Sequence, residues 1–193
     1  MKTINSRNTD YNIDDVFLKR YSPRAMSGEN ISKEELMTIL EAGRWAPSSM
    51  NSQPWRFVYG VAGTPYFNKL LSFVLEKNQI WSRRASALIV LISKNTLDDR
   101  EHSSSHSFDA GSAWENIALQ ATSIGLITHA MGGIDRDLIK KELKISDDYT
   151  IEVMISIGKT GSIEDLPDEL KSREKPSGRK NLEEISFEGF FRD

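Results

Sequence analysis

Apolar positions along the chain follow two rhythms, a spacing of three to four residues in some stretches and nearly continuous runs in others, and each predicts its own element. Ile13 to Arg20 reads as a short helix ended by Tyr21-Ser22-Pro23, because the residue before a proline is pushed out of the helical region. Ser32-Lys33-Glu34-Glu35 is a capping-box sequence, and Leu36, Ile39, Leu40 and Gly43 follow it on one face of a helix that runs into Ala46-Pro47. Phe67, Leu70, Leu71 and Val74 predict a single helix over Pro65 to Lys77. A longer helix spans about Phe108 to Ile124, with small residues along its apolar face and Gly125 as its cap. Asp135 opens a further helix through Leu143. Trp55 to Tyr59, Leu88 to Ile92, Ile127 to Met131 and Ile151 to Ile157 read as strands, the second and fourth buried on both faces.

Helices outnumber strands and do not alternate strictly with them, and no glycine fingerprint follows the first strand. The pattern therefore predicts an α+β fold rather than a dinucleotide-binding βαβ unit. Pro167 to Lys180 is dense in charge and reads as an exposed loop or linker. Beyond it Ile185, Phe187, Phe190 and Phe191 have no local element to cover them. Such an arm, about residues 181–193, suits a partner subunit, where it adds a strand to a sheet edge. With 193 residues, of which 38% are hydrophobic, the whole chain is expected to form one domain.

Charge and composition narrow the chemistry. The formal net charge of -3 leaves no global basic footprint for nucleic acid or an anionic membrane. The absence of cysteine excludes disulfides, thiolate metal sites and iron–sulfur clusters, so redox chemistry requires an organic cofactor. The first fifteen residues lack the apolar core of a signal peptide and no run approaches a membrane span, so a cytoplasmic protein is expected. His102-Ser103-Ser104-Ser105-His106 has the spacing of a helical metal pair, but the intervening serines favour a loop and no metal is expected. Segment 95–107 reads either as a lid, with Phe108 as a substrate contact, or as a solvated loop. Trp45, Trp55, Trp81 and Trp114 read as core or interface residues, and His129 as a packed, hydrogen-bonded histidine.

Three clusters stand out. Arg20-Tyr21-Ser22-Pro23-Arg24 places two guanidiniums and a hydroxyl where they could grip a phosphate, or merely compensate a helix end. Pro47-Ser48-Ser49-Met50-Asn51-Ser52-Gln53-Pro54 offers donors and acceptors suited to the edge of a heterocycle, and equally the ingredients of a plain turn. Ala130-Met131-Gly132-Gly133 lets backbone approach a planar ring, or simply turns the chain.

Together with Asp109, Gly111 and Asn116 on the long helix, Gly125 to Gly133, and Arg179-Lys180, these motifs occur in an order that resembles the nitroreductase family over nearly the whole chain. The resemblance implies a nitroreductase-like α+β fold: a central, mainly antiparallel sheet flanked by helices, with the C-terminal arm added to the partner subunit. It implies a homodimer with FMN at the interface. Arg20 and Ser22 would serve the phosphate, completed by Arg179, with Tyr21 among the cofactor-binding residues, and Arg24 would lie near the ribityl chain or pyrimidine, where its charge would stabilise reduced flavin. Pro47, Ser48, Ser49, Asn51 and Gln53 match flavin-contacting positions, some reaching the flavin of the second subunit. Met131, Gly132 and Gly133 would lie along the isoalloxazine ring. The implied reaction is ping-pong, with NADH or NADPH giving a hydride to flavin N5 before a nitroaromatic, quinone or other small acceptor takes its place. A dehalogenating or oxygen-using relative, or a non-catalytic flavin-binding dimer, shares the same scaffold. In two places the chain departs from the pattern. Gly132 stands where some relatives have glutamate, leaving only a backbone role, and Ser177 stands where many have a lysine, which removes one phosphate cation. Asn78 matches a flavin-contacting asparagine only loosely.

Overall fold

The computed structural model describes residues 3–96 and 102–192. The frame is a four-stranded sheet in which β3 (Trp55–Val61), β4 (Ala87–Lys94), β6 (Tyr149–Gly158) and β5 (Ile127–Met131) lie in that order, every neighbouring pair antiparallel. A short hairpin of β1 (Thr3–Ile4) and β2 (Arg7–Asn8) precedes it, turned by Asn5 and Ser6 with φ of 53° and 58°. Two successive positive-φ residues give a hairpin turn of the hand that matches strand twist.

From Ala87 to Ile92 β4 is apolar without interruption because both of its faces are covered. Leu88, Val90 and Ile92 face a core shared with Phe67, Leu70, Phe73, Trp81 and Ile139, while Ala87, Ile89 and Leu91 face Leu36, Ile39, Ala113 and Ile117. The first layer comes from α3 (Pro65–Leu71), α4 (Glu76–Ser82) and α6 (Arg136–Glu142); the second comes from α2 (Lys33–Arg44) and α5 (His106–Ser123). α2 meets α5 at Gly43, where an added Cβ would lie 2.9 Å from Ile117 Cγ1. The small residues of α5, Ala110, Ala113, Ala118 and Ala121, are all fully buried, so the helix packs close, as its sequence predicts.

α2 begins with the capping box read from the sequence. Ser32 Oγ accepts from Glu35 N at 3.0 Å and Glu35 Oε2 accepts from Ser32 N at 2.7 Å. Ser32→Ala leaves a helix-end N–H without its cap and is expected to lower stability by about 1 kcal/mol, read as a shift in urea midpoint at constant slope.

The helix expected over Pro65 to Lys77 is broken into α3 and α4. Between them the backbone is claimed by the strand-to-helix turn after β5: Asp135 N donates to Phe73 O at 2.8 Å, Leu75 N donates to Gly133 O at 3.0 Å, and Val74 bridges to Ile134. No glycine or proline marks residues 72–75, so helical periodicity alone could not show the break. The linker expected over Pro167 to Lys180 contains a single turn of helix, α7 (Asp168–Lys171). β6 carries one extra residue opposite Leu91 and Ile92, a bulge at Glu152 that aims its carboxylate at Ser93 Oγ (2.5 Å) and Ser107 Oγ (2.8 Å).

From residue 181 to 192 the chain is exposed throughout. Phe190 and Phe191 are 85% and 83% exposed, Ile185 is exposed with them, and Phe187 packs edge to face on Phe191 at 6.0 Å.

Candidate functional site

The arginine segment follows α1 (Asp15–Lys19), whose last turn closes with Arg20 N donating to Val16 O. Arg20 Nη1 lies 3.4 Å from Ser22 Oγ, at the long limit of a hydrogen bond. The organiser of this region is Arg7, from the second strand of the N-terminal hairpin. Its buried side chain donates to Leu18 O (3.0 Å), Arg20 O (2.6 Å) and Ser177 O (2.9 Å). These bonds join the hairpin, the α1 exit and the loop that carries Arg179. The guanidinium of Arg7 is held below its usual pKa by burial, then by the charges of Arg179 and Arg20. Three cations are thus brought together from residues 7, 20 and 179. Arg7 was not legible as a site residue, since a lone arginine in a short polar strand carries no motif.

Arg24 is placed differently. Glu174 Oε1 accepts from the backbone N–H groups of Arg24 (2.6 Å) and Ala25 (2.8 Å), while Glu174 Oε2 lies 4.0 Å from Arg24 Nη1 and has no hydrogen-bond partner. Burial and Arg173 lower the Arg24 pKa, and Glu174 opposes them. Its charge is already shared with a carboxylate that the sequence did not reveal. Tyr21 is pushed above its usual range by burial and then by Glu174, which keeps its hydroxyl protonated.

β5 runs beside this segment. His129 Nδ1 is 3.2 Å from Pro23 O and its ring lies 4.7 Å from that of Trp81. Burial, then Arg24, lower its pKa to about 4, so near neutrality it is uncharged and Nδ1–H donates to the carbonyl. It is the packed, hydrogen-bonded histidine that its sequence context predicts. At the end of the strand Met131 is buried in the core, so only its backbone can serve a ligand, whereas Gly132 is exposed and an added Cβ would meet nothing within 4 Å. Gly133 has a different need: a Cβ there would lie 2.8 Å from Asn78 Nδ2. The break between α3 and α4 thus brings Asn78 against the glycine pair, a placement that spacing alone left loose. Arg136 holds the same turn, donating to Gly132 O at 3.4 Å and to Glu152 O at 2.8 Å.

The polar loop after Pro47 is built by its own hydrogen bonds. Gln53 N donates to Ser48 Oγ (3.0 Å), Gln53 Nε2 donates to Asn51 O (3.1 Å), and Ser49 N donates to the buried Asp109 Oδ2 (3.2 Å) on α5. Met50, Asn51 and Gln53 adopt φ of 50°, 56° and 48°. Three non-glycine residues in the left-handed region within four positions store strain of the kind found at binding loops. Asn51 and Gln53 are exposed.

One subunit does not unite these parts. The loop feeds β3 and Gly132 ends β5, at the same end of the sheet but on opposite edges. Three strand spacings, roughly 14 Å, separate the two edge strands across the sheet. Pro23, Arg24, His129 and the glycine pair lie on the β5 side; Ser48, Ser49, Asn51 and Gln53 lie on the β3 side.

The remaining expectations divide. Trp55 and Trp81 are core residues, Trp114 packs against the core, and Trp45 is 72% exposed, donating from Nε1 to Glu41. His106 begins α5, and its ring meets His102 edge to face at 5.7 Å; among the described residues no three His, Asp or Glu side chains gather as a metal-binding group. The lid reading falls partly on residues 97–101, outside the described residues, while Phe108 is 80% exposed on α5. No described helix is long and apolar enough to cross a membrane.

The chain is thus an α+β protein with an arginine-rich segment beside β5 and a strained polar loop leading into β3. The nitroreductase family model matches residues 17–61 and 61–159. The chain belongs to the nitroreductase family, and its fold is the nitroreductase fold. A crystal structure described as "the oxidoreductase containing FMN" is 41% identical, with a TM-score of 0.96 over 100% of this chain and 99% of its own. The structure of "a putative nitroreductase in complex with FMN" from Desulfovibrio desulfuricans is 25% identical, with a TM-score of 0.74 over 92% of this chain and 96% of its own. A protein of Archaeoglobus fulgidus named "Putative NADH dehydrogenase/NAD(P)H nitroreductase" is 30% identical over 147 residues, 72% of this chain and 80% of its own length.

Proposed function

We propose that the protein is an FMN-dependent, NAD(P)H-using oxidoreductase that works as a homodimer. The observation that carries this reading is the meeting of Arg20, Ser22 and Arg179 around Arg7, a set rich in donors and positive charge at the segment whose Pro23 carbonyl accepts from His129 of β5. Guanidiniums bind phosphate oxygens through paired N–H groups, and three of them held close together repel one another until an anion joins them. The donor set therefore fits a flavin phosphate. The FMN named in the two structural relatives supports the same choice.

Bound FMN would supply the hydride and electron chemistry, taking reducing equivalents from NADH or NADPH and passing them to a nitroaromatic, quinone or other small acceptor in ping-pong order. The protein's part is to bind and orient. Arg20, Ser22 and Arg179 would hold the phosphate, with Tyr21 beside them. The exposed Gly132 and the Gly133 turn would let backbone reach the ring, with Asn78 alongside. Arg24 would face the ring's pyrimidine edge or the ribityl chain, its charge tempered by Glu174.

Ser48, Ser49, Asn51 and Gln53, with Pro47 setting the loop's entry, would act on the flavin of the second subunit, since the sheet sets them on the edge opposite their own subunit's glycine turn. The arm of residues 181–193 would cover its exposed apolar side chains on the partner and extend the partner's sheet at an edge strand. On this reading residues 1–193 form a single flavin-binding domain, and its place of work is the cytoplasm.

The protein is expected to purify yellow, to run as a dimer by light scattering, and to bleach at roughly 450 nm when mixed anaerobically with NADH or NADPH. Colourless protein that also fails to bind added FMN sinks the reading. A yellow dimer bleached by neither donor makes it a flavin carrier instead.

A further inference from the structure

Arg7 lies outside every motif that marks the site, yet its side chain is the one that ties the two halves of the arginine cluster together. We propose that Arg7 is a third cation of the phosphate site as well as its clip, so that this chain's preference for a phosphorylated flavin depends on a residue of the N-terminal hairpin. The inference rests on the reading of this region as a phosphate site.

Arg7 donates through Nε to Ser177 O and through Nη1 to Leu18 O and Arg20 O. These bonds leave Nη2 outside them, on a fork whose plane is already fixed by three carbonyls. A guanidinium held so rigidly loses little side-chain freedom on meeting an anion. The partners matter as much as the number of bonds. One is the carbonyl of Arg20 itself, and another is the carbonyl two residues before Arg179, so the backbone of both proposed phosphate ligands hangs on one side chain. Ser177 supplies no charge of its own; its Oγ lies 3.4 Å from Arg179 Nη1 and its carbonyl is taken by Arg7.

A clip could have been made with a neutral donor. A buried cation beside two others is costly in the empty protein, because it loses hydration and is repelled by its neighbours. Bringing a phosphate dianion among them reverses the sign of the neighbour interactions, so the arrangement favours the phosphorylated ligand over its dephosphorylated form.

The test compares FMN with riboflavin, which shares the ring and ribityl chain but lacks the phosphate. Dissociation constants are measured by flavin fluorescence for the wild type, Arg7→Gln and Arg7→Lys. Arg7→Gln is expected to weaken FMN about tenfold more than it weakens riboflavin, and Arg7→Lys, which keeps the charge, to restore most of that difference. Equal losses for both flavins would mean a clip and no more, and unchanged binding of both would remove any role. A second measurement serves if Arg7→Gln does not fold or if the wild type binds neither flavin. The Arg7 Nε–H resonance of the unliganded wild type, assigned by its loss in Arg7→Lys, is followed as inorganic phosphate is added. A saturable shift supports the cation role even if the flavin reading fails, and a resonance blind to phosphate overturns it.

Discussion

Ile117→Ala is expected to lower the free energy of unfolding by about 2–5 kcal/mol, the range for removing a branched aliphatic side chain from a packed core. Ile117 is fully buried on α5, and its Cγ1 and Cδ1 fill the notch left by Gly43 of α2, with Phe57 of β3 beside it. Deleting it opens a cavity between two helices and the sheet at once, so neighbouring side chains can collapse only partly. A chemical denaturation midpoint measures the loss. The notch supplies a second arm. Gly43→Ala adds a Cβ 2.9 Å from Ile117 Cγ1, closer than side chains tolerate, and should destabilise the wild type. In the Ile117→Ala background the same methyl enters vacated space, so the two losses should add to less than their sum. Strict additivity would show that α2 and α5 do not meet as described.

Arg20→Ala is expected to weaken FMN binding by about 1.5–3 kcal/mol, the scale of a lost hydrogen bond to a charged group, or roughly 10–150-fold in dissociation constant. The effect on the empty protein should run the other way or vanish. The backbone carbonyl of Arg20, which Arg7 holds, survives the substitution, and removal of one of three neighbouring cations relieves repulsion. Fluorescence titration and a thermal melt of the flavin-free protein separate the two effects. Weaker FMN binding with an unchanged or raised melting temperature supports the phosphate role; unchanged FMN affinity refutes it. Raising salt should also weaken FMN less steeply in the variant, because one fewer ionic contact is screened.

The same cluster shows how far reading the chain could go. Arg20, Ser22 and Arg24 stand within five residues after a helix, and that proximity is visible in one dimension. The pairing of Arg24 with Glu174, 150 positions away, is not. Nor is the contact of Asn78 with Gly133, because it depends on a helix break that no residue at 72–75 announces. Helical periodicity ran through the break since Phe67, Leu70 and Val74 face the core on both accounts. What interrupts the helix is competition for backbone groups, the turn after β5 taking Phe73 O and Leu75 N.

By itself the sequence determined the sheet strands, the long helices α2 and α5, and the faces they bury. The capping box of α2, the doubly covered strand β4 and the small-residue face of α5 are local consequences of propensity, hydrogen-bond supply and burial, and they stand where the pattern places them. It also carried the ordered motifs of the family. Only the tertiary structure decided which charges meet. It drew Arg7 from the N-terminal hairpin into the arginine cluster, gave Arg24 a buried carboxylate, and set the polar loop and the glycine turn on opposite edges of one sheet. The physical reason is that apolar periodicity is written along the chain, whereas the meeting of polar groups depends on strand order and on long-range competition for hydrogen bonds, which no local window contains.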